Sequence, residues 1–514
     1  MKILSYRLAL CTAATVGTVL SGCHGRAPGS ETGAERSHAR ASAPHAFNGT
    51  ARQLRKSEMS EAEIRYGIAP VPSNAVTYRP DVIIVGGGPD VIRSQSGSGF
   101  IWTIDASAPH ADELQEGKIL FLTNRAVGRV LALQRTENAL VVALGPVDLT
   151  EIVSEAHIHI PETPIDLNEA IPYTLSEVPG QQIHIDDNTI PSGGAVAPAV
   201  YRRQTSTFGS PSSAHLLPVR DQANGSGQVK FTTTAVANDS GVGMQAVTNG
   251  GGLTLSASVL VHITHPTIRL DLDIQPSGLK TAVLELGGAA GLTWKFAAGS
   301  KNQVDALVDA HDLLIPDTDF VLNLLMDAKT AALPISATFR QRMLVKSALG
   351  VRKSTLSATG DYSFKGSFKV GYENGAWTAS GPAEGFRASR TLVDTTEGSS
   401  VAITAMTLGH ELTFIAGVGA VGFTAGPYVN FDTAIGVERM SDIGVLKCNA
   451  AVLTVKVGGG AGYSIPRSIT QAINYILRLF GSKKQIAGYG GVAIVKPTTV
   501  VNTTGNRGGC RPMS

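Results

Sequence analysis

Between Ile268 and Ile274 the chain reads Ile-Arg-Leu-Asp-Leu-Asp-Ile, every second residue apolar and each neighbour charged. Successive side chains of a strand point to opposite faces, so this run is a strand with one face in a core and one in water. A half-wet strand belongs to an antiparallel sheet, because parallel sheets are covered on both faces. The same period returns at Phe364-Lys365-Gly366-Ser367-Phe368-Lys369-Val370. Glu373-Asn374-Gly375 then supplies a hairpin turn, with Trp377 on the returning strand. Further strands are read at 253–261, 267–274, 281–286, 410–429 and 450–457, and shorter ones between 81 and 144. The expected fold class is mainly β: antiparallel sandwich or barrel-like domains with one short N-terminal helix and one amphipathic helix near the C-terminus.

The two helices have local signatures. Ser60-Glu61-Ala62-Glu63 is a capping box, flanked by Met59 and Ile64 and closed by Gly67. Ile469, Ala472, Ile473, Ile476, Leu477 and Phe480 recur at helical spacing, with Ser468 as N-cap and Gly481, Lys483 and Lys484 at the end. Residues 24–56 are rich in Ala, Ser, Gly, His and Arg, and 186–228 in Pro, Gly, Ser and Asn. The organisation read from this is a signal at 1–22, a disordered tether at 23–58, a small β-rich domain at 59–185, a linker or long loop at 186–228, and a larger antiparallel domain at 229–514.

Composition closes off several classes. Charged residues are 16% of the 514, and the 57 glycines are about 11%, so charge is below and glycine above the usual share of a soluble domain. Lys+Arg number 43 against 41 Asp+Glu, too even a balance for a nucleic-acid binder that displaces counterions from phosphates. With 43% hydrophobic residues the chain is not a disordered one. Four Cys cannot make a disulfide-dense scaffold.

The N-terminus carries an address. Lys2 and Arg7 precede an apolar run from Leu8 to Leu20, too short for a membrane-spanning helix and proportioned like a secretory signal. It ends in Leu20-Ser21-Gly22-Cys23, which resembles the lipobox of bacterial lipoproteins. The resemblance covers residues 1–23. It implies cleavage before Cys23 and a diacylglycerol on its thiol. His24 stands where the family's inner-membrane retention signal would be Asp, so the resemblance implies the outer membrane. Loss of residues 1–22 removes Lys2 and Arg7 and leaves 41 basic against 41 acidic residues, with little long-range steering. Cys11 leaves with the signal and Cys23 carries lipid, so Cys448 and Cys510 remain as a pair expected to form a disulfide in an oxidising compartment.

Several motifs bear on chemistry. Val82-Ile83-Ile84-Val85-Gly86-Gly87-Gly88-Pro89 resembles the opening of a dinucleotide-binding strand. Val91 stands where that fingerprint needs Gly, and the Ser/Gly stretch that follows does not read as a helix, so no cofactor is assigned. His157 with His159, and His184 with Asp186, each put two metal-ligand types two residues apart on one strand face; His262 and His265 make a third pair. Polar residues alternating with Ile on a wet face explain the same spacing without metal. His410-Glu411 lacks the second His of a helical zinc motif, and Ser210, Ser212 and Ser213 lack the G-x-S-x-G frame. No catalytic residue, cofactor or metal ligand is assigned.

The expected function is that of a lipid-anchored outer-membrane protein with a structural or binding role. Its partners are the membrane through its lipid and another envelope protein or an apolar or surface ligand. The alternatives are an outer-membrane β-barrel and a β-scaffold hydrolase acting on polysaccharide.

Overall fold

The computed structural model describes residues 51–174 apart from 72, 97 and 98, then 199–202, then 231–464 with breaks at 251–252, 301–312, 315–319, 328–332, 349–354, 383, 399–403, 420–423 and 440–447, and finally 489–508 apart from 491–493. The amphipathic segment 468–480 lies outside the described residues, as do Cys23, His184, Asp186 and Cys510.

Helix α1 (Glu61–Tyr66) opens the fold as its capping box requires. Ser60 Oγ accepts from Glu63 N at 3.1 Å, and Glu63 Oε2 accepts from Ser60 N at 2.8 Å. Strand β1 (Val76–Tyr78) leads to β2 (Val82–Ile84), β3 (Ile92–Gln95), β4 (Ile101–Asp105), β5 (Ile119–Phe121), β6 (Val127–Arg135) and β7 (Ala139–Gly145). The last six form a small sheet in the order β2–β5–β6–β7–β4–β3. One of its faces, with Trp102, Ile104, Leu120 and Leu140, packs with Tyr66 of α1 into a core of its own. The other, with Ile119, Phe121 and Val127, joins a larger core.

That larger core lies between two long sheets. After α2 (Leu149–Ile152), the chain makes β8 (Val153–Pro164), β9 (Ile171–Thr174), β10 (Ala199–Arg202), β11 (Phe231–Asn238), β12 (Gly241–Gly250), β13 (Leu253–Gln275) and β14 (Gly278–Ser300). Then come β15 (Leu313–Leu314), β16 (Phe320–Leu325), β17 (Ser336–Ala348), β18 (Thr355–Glu373), β19 (Ala376–Ser380), β20 (Glu384–Arg390), β21 (Thr404–Gly417), β22 (Gly426–Arg439), β23 (Cys448–Ser464), β24 (Tyr489–Gly490) and β25 (Ile494–Gly508). The first long sheet runs β10–β11–β12–β13–β14–β18–β19, with β8 beside β13, β1 beside β8, and β20 beside β18. The second runs β24–β23–β22–β21–β17–β16–β9, with β25 also on β23 and β15 on β17. Both are antiparallel and face each other, so the fold is mainly β and sandwich-like.

Each long strand turns alternate residues inward. Trp294, Phe296 and Phe368 of the first sheet, and Phe339 and Phe414 of the second, are at most 2% exposed. Phe431 of β22 meets Phe368 of the facing sheet edge-on at 4.8 Å between ring centroids. Glycine lets the sheets close where they are nearest: a Cβ on Gly459 would lie 2.8 Å from Val370 Cγ2. The expected hairpin joins β18 to β19, with Asn374 and Gly375 both at positive φ (53° and 79°), the requirement of a type I′ turn.

β13 and β14 have 23 residues each, about 75 Å if straight at ~3.3 Å per residue. A line of register shifts crosses β13 at 262–267 and β14 at 286–291. On one side of it β13 pairs with β12, on the other with β8.

Three stretches differ from the organisation read in the sequence. β8 and β9, inside 59–185, belong to the first and second long sheets; alternation marks a strand but not the sheet that will take it. β10, inside the expected linker, pairs with β11. Residues 52–58, inside the expected tether, are docked: Leu54 N donates to Leu325 O at 2.8 Å, Gln53 bridges to Met326, and Lys56 N donates to Glu169 Oε2 at 2.7 Å. Leu54 and Met59 supply the reason, packing on the Ile68, Ile171 and Leu325 cluster.

The small sheet sits at one end of the sandwich, fixed by a buried polar loop. Asn124 is fully buried, accepts from Ile68 N through Oδ1 at 2.9 Å, and takes Gly419 N on its carbonyl at 2.8 Å. Thr123 Oγ1 donates to Tyr66 O at 2.6 Å. The exit of α1, the small sheet and the second long sheet thus meet at two neighbouring residues, Thr123 and Asn124.

Candidate functional site

The register of the second sheet gathers charges that are far apart in sequence. Arg342 of β17 pairs with Glu411 of β21, Glu411 with Asp432 of β22, and Asp432 with Lys456 of β23. All four point away from the core, because their neighbours Met343, His410, Leu412, Phe431 and Val455 point in. The row therefore reads plus, minus, minus, plus across four strands. Arg342 forms an ion pair with Glu411. Asp432 Oδ1 is buried without a hydrogen-bond partner among the described residues. Burial first, and then the adjacent Glu411 charge, push the Asp432 carboxyl up to about 6, against the pull of Arg342 and Lys456. Burial and Glu411 also raise the Tyr428 hydroxyl. Two carboxylates side by side, one able to hold a proton near neutrality, can bind a cation or hydroxyl donor, or exchange a proton.

The reverse side of the same strands carries a second polar group. His410 is 3% exposed; its Nε2 lies 3.2 Å from Gln341 Oε1, and its ring meets Trp294 edge-on at 6.3 Å. Burial pushes its imidazole down to about 3, so it is neutral inside the sandwich. Trp294 Nε1 donates to Thr433 Oγ1 at 3.2 Å and ties the two sheets through the core.

The residues singled out in the sequence fall as follows. His159 stands opposite Asp271, and His157 opposite Asp273, on the outer face of the first sheet. His159 pairs with Asp271, which also takes Arg269 at 2.8 Å, and Asp273 has Lys280 at 3.7 Å. Cations already face these carboxylates, and among the described residues no group of three His, Cys, Asp or Glu is placed to hold a metal ion. His262 Nε2 lies 2.8 Å from Thr293 Oγ1, which donates to Asp361 at 2.9 Å; His265 sits apart in the register shift with φ 49°. Gly87 (φ 92°) makes a turn into a four-residue 3-10 helix, Gly88–Val91, which runs straight into β3. A Cβ on Gly87 would lie 2.3 Å from Val91 Cγ1, so this glycine and this valine shape one turn. Cys448 opens β23 opposite Gly508 of β25.

The sequence missed Glu411, Asp432, Arg342 and Lys456 as a set. In the sequence His410-Glu411 lacks the second His of a zinc motif; the row exists only through the strand register.

A cleft at the small-sheet end is lined by Leu272, Ile274, Leu279, Ala282 and Pro427 and closed by Asp148. It encloses about 40 Å³, room for a few waters and far below the ~300 Å³ of a small-molecule site.

Comparison with known families gives two separate matches, neither of which covers residues 156–213. A family described as "Domain of unknown function (DUF8402)" matches residues 214–492, more than half of the chain and most of both long sheets. The chain belongs to that family. A second description, "Domain of unknown function (DUF8403)", matches residues 62–155, which hold α1, the small sheet and the first residues of β8. No curated protein and no solved structure matches the chain. The Arg342–Glu411–Asp432–Lys456 row lies within the family match.

Proposed function

We propose that this chain is a lipid-anchored protein of the bacterial outer membrane with a structural or binding role, which holds its sandwich end-on to the bilayer. The observation that carries this reading is the docking of residues 52–58 at the small-sheet end. The chain enters the fold there, at the end of β16 and against the 166–169 turn that follows β8. The opposite ends of the long strands, at Leu253, Ser300, Thr355, Arg439, Cys448 and Gly508, lie along the strand axis from that point. Lipid on Cys23 would leave 28 residues between the anchor and Arg52. Pro164, just before that turn, pairs with Thr267, so the Leu253 end of β13 stands about 45 Å farther out if the strands run along the normal. A partner in the envelope would meet that end, or the outer faces of the sheets.

The outer faces support this reading over an integral barrel. Arg269, Asp271, Asp273, Glu285 and Lys369 line the outside of the first sheet, where a barrel would present apolar side chains to lipid. A polysaccharide hydrolase calls for a carboxylate pair in a cleft, whereas Glu411 and Asp432 lie on a sheet face with Arg342 paired to one of them. The test is Cys23→Ala. Labelled fatty acid should no longer enter the protein, which should leave the outer-membrane fraction or remain uncleaved. Normal acylation and fractionation of the variant would refute the anchor.

A further inference from the structure

Behind the charged row, inside the sandwich, an imidazole is sealed between the two long sheets. His410 of β21 is 3% exposed. Within its own sheet it stands opposite Met343 of β17 and Thr433 of β22. Trp294 of β14 meets its ring edge-on from the facing sheet. The same Trp294 donates to Thr433 Oγ1 at 3.2 Å, so His410 sits beside a hydrogen bond that joins the sheets. Its Nε2 lies 3.2 Å from Gln341 Oε1, and its Nδ1 is buried with no partner among the described residues. Gln341 is itself fully buried, and its Nε2 is unmatched among the same residues.

A neutral imidazole has one N–H, and Gln341 Oε1 is placed to accept it. An imidazolium has two. The second, on Nδ1, would enter a core where no described residue receives it, and an unpaired buried charge is costly. No carboxylate faces the ring to balance that charge. Glu411 of β21, Arg342 of β17 and Asp432 of β22 stand on the opposite face of the sheet. Arg439 lies at the last position of β22, where it donates to Thr396 O at 3.4 Å. From the first sheet, β14 brings Trp294 between Leu292 and Phe296, and β18 brings Tyr362, whose hydroxyl burial pushes up to about 12. We infer that His410 is an acid-sensitive latch between the two long sheets, closed while its ring is neutral and released when the ring takes a second proton. Burial holds the folded imidazole down to about 3, against 6.5 for an exposed one. The unfolded chain therefore takes the proton first. The stability that the neutral ring contributes is fully present above pH 6.5 and is lost as pH falls from there toward 3.

The test compares the full-length protein with His410→Gln, which keeps a neutral polar group beside Gln341 at every pH. Urea denaturation of both is measured at pH 7.5 and at pH 5. Between these the unfolding constant of the unchanged protein should rise about 30-fold more than that of the variant, roughly tenfold for each unit below 6.5. Asp432 responds in the opposite sense, but both proteins contain it and it cancels from the ratio. Equal rises would overturn the inference. Because the variant can fail to fold, a second measurement uses the unchanged chain alone, labelled with nitrogen-15 at histidine. In the spectrum of the folded protein at pH 5, the His410 ring should keep one protonated and one bare nitrogen. Two protonated nitrogens there would mean that the core accepts the charge, and would overturn the latch equally.

Discussion

The outer faces of the two long sheets are built from the same kind of strand and end up in different surroundings. On the first sheet Arg269, Asp271 and Asp273 alternate with Ile268, Leu270, Leu272 and Ile274, and each charge meets water and an opposite charge, Arg269 with Asp271 along β13 and Asp273 with Lys280 of β14. On the second sheet the outward positions of β21 run from exposed Thr407 to buried Ile415 within nine residues. The comparison teaches that a strand shows its inward face in its sequence only where the other face is wet. Where both are buried the period disappears, and 410–429 reads as strand with many glycines without marking where β21 ends and β22 begins.

The largest effect expected is on the edge of the second sheet, where the proposed Cys448–Cys510 disulfide would form. Gly508 pairs with Cys448, and two residues span at most ~7 Å, so Cys510 has Cys448 within reach. A disulfide here closes a loop of about 60 residues and should stabilise by ~4 kcal/mol in the chain-entropy description. Alkylation of denatured, unreduced protein should modify neither Cys448 nor Cys510; modification of both removes the tie from the account.

Next in size is the contrast between buried and wet outward positions. Ile415→Ala should lower the unfolding free energy by about 2–4 kcal/mol, whereas Arg269→Ala, on the first sheet, should stay within ~0.5 kcal/mol. Urea denaturation of both variants measures this, and equal losses would erase the distinction between the two faces.

A smaller effect should appear with pH. The Asp432 carboxyl is raised to about 6 in the folded chain, above the ~3.9 of an unfolded aspartate. Between those values the native state binds the extra proton, so this group's contribution to stability is greatest below pH ~4 and is lost as pH rises to about 6. Asp432→Asn should therefore stabilise the protein by about 1–3 kcal/mol at pH 7.5 and leave it little changed at pH 4. Thermal melts of both proteins across that range should converge at low pH. A constant offset would mean that Asp432 is ionised throughout.

Much of the fold was legible because its causes are local. The Ser60 capping box, the Asn374-Gly375 turn and the period-two runs at 268–274 and 364–370 need few residues beyond their own neighbours to be satisfied. The candidate site was not legible for the opposite reason. Glu411 and Asp432 become neighbours through the β21–β22 pairing, and Arg342 reaches them only because β17 lies beside β21 rather than beside β18.

By itself, then, the sequence determined the alternation of faces, the caps and turns and the balance of charge, since each is carried by side chains within a few positions of one another or by composition alone. The tertiary structure alone decided which sheet received β8 and β9, where residues 52–58 docked, which half of an outer face was covered, and that four charges should form a row. Those outcomes depend on strand register and on contacts between segments tens to hundreds of residues apart, and a periodic pattern pairs equally well with any partner of the same period until packing selects one.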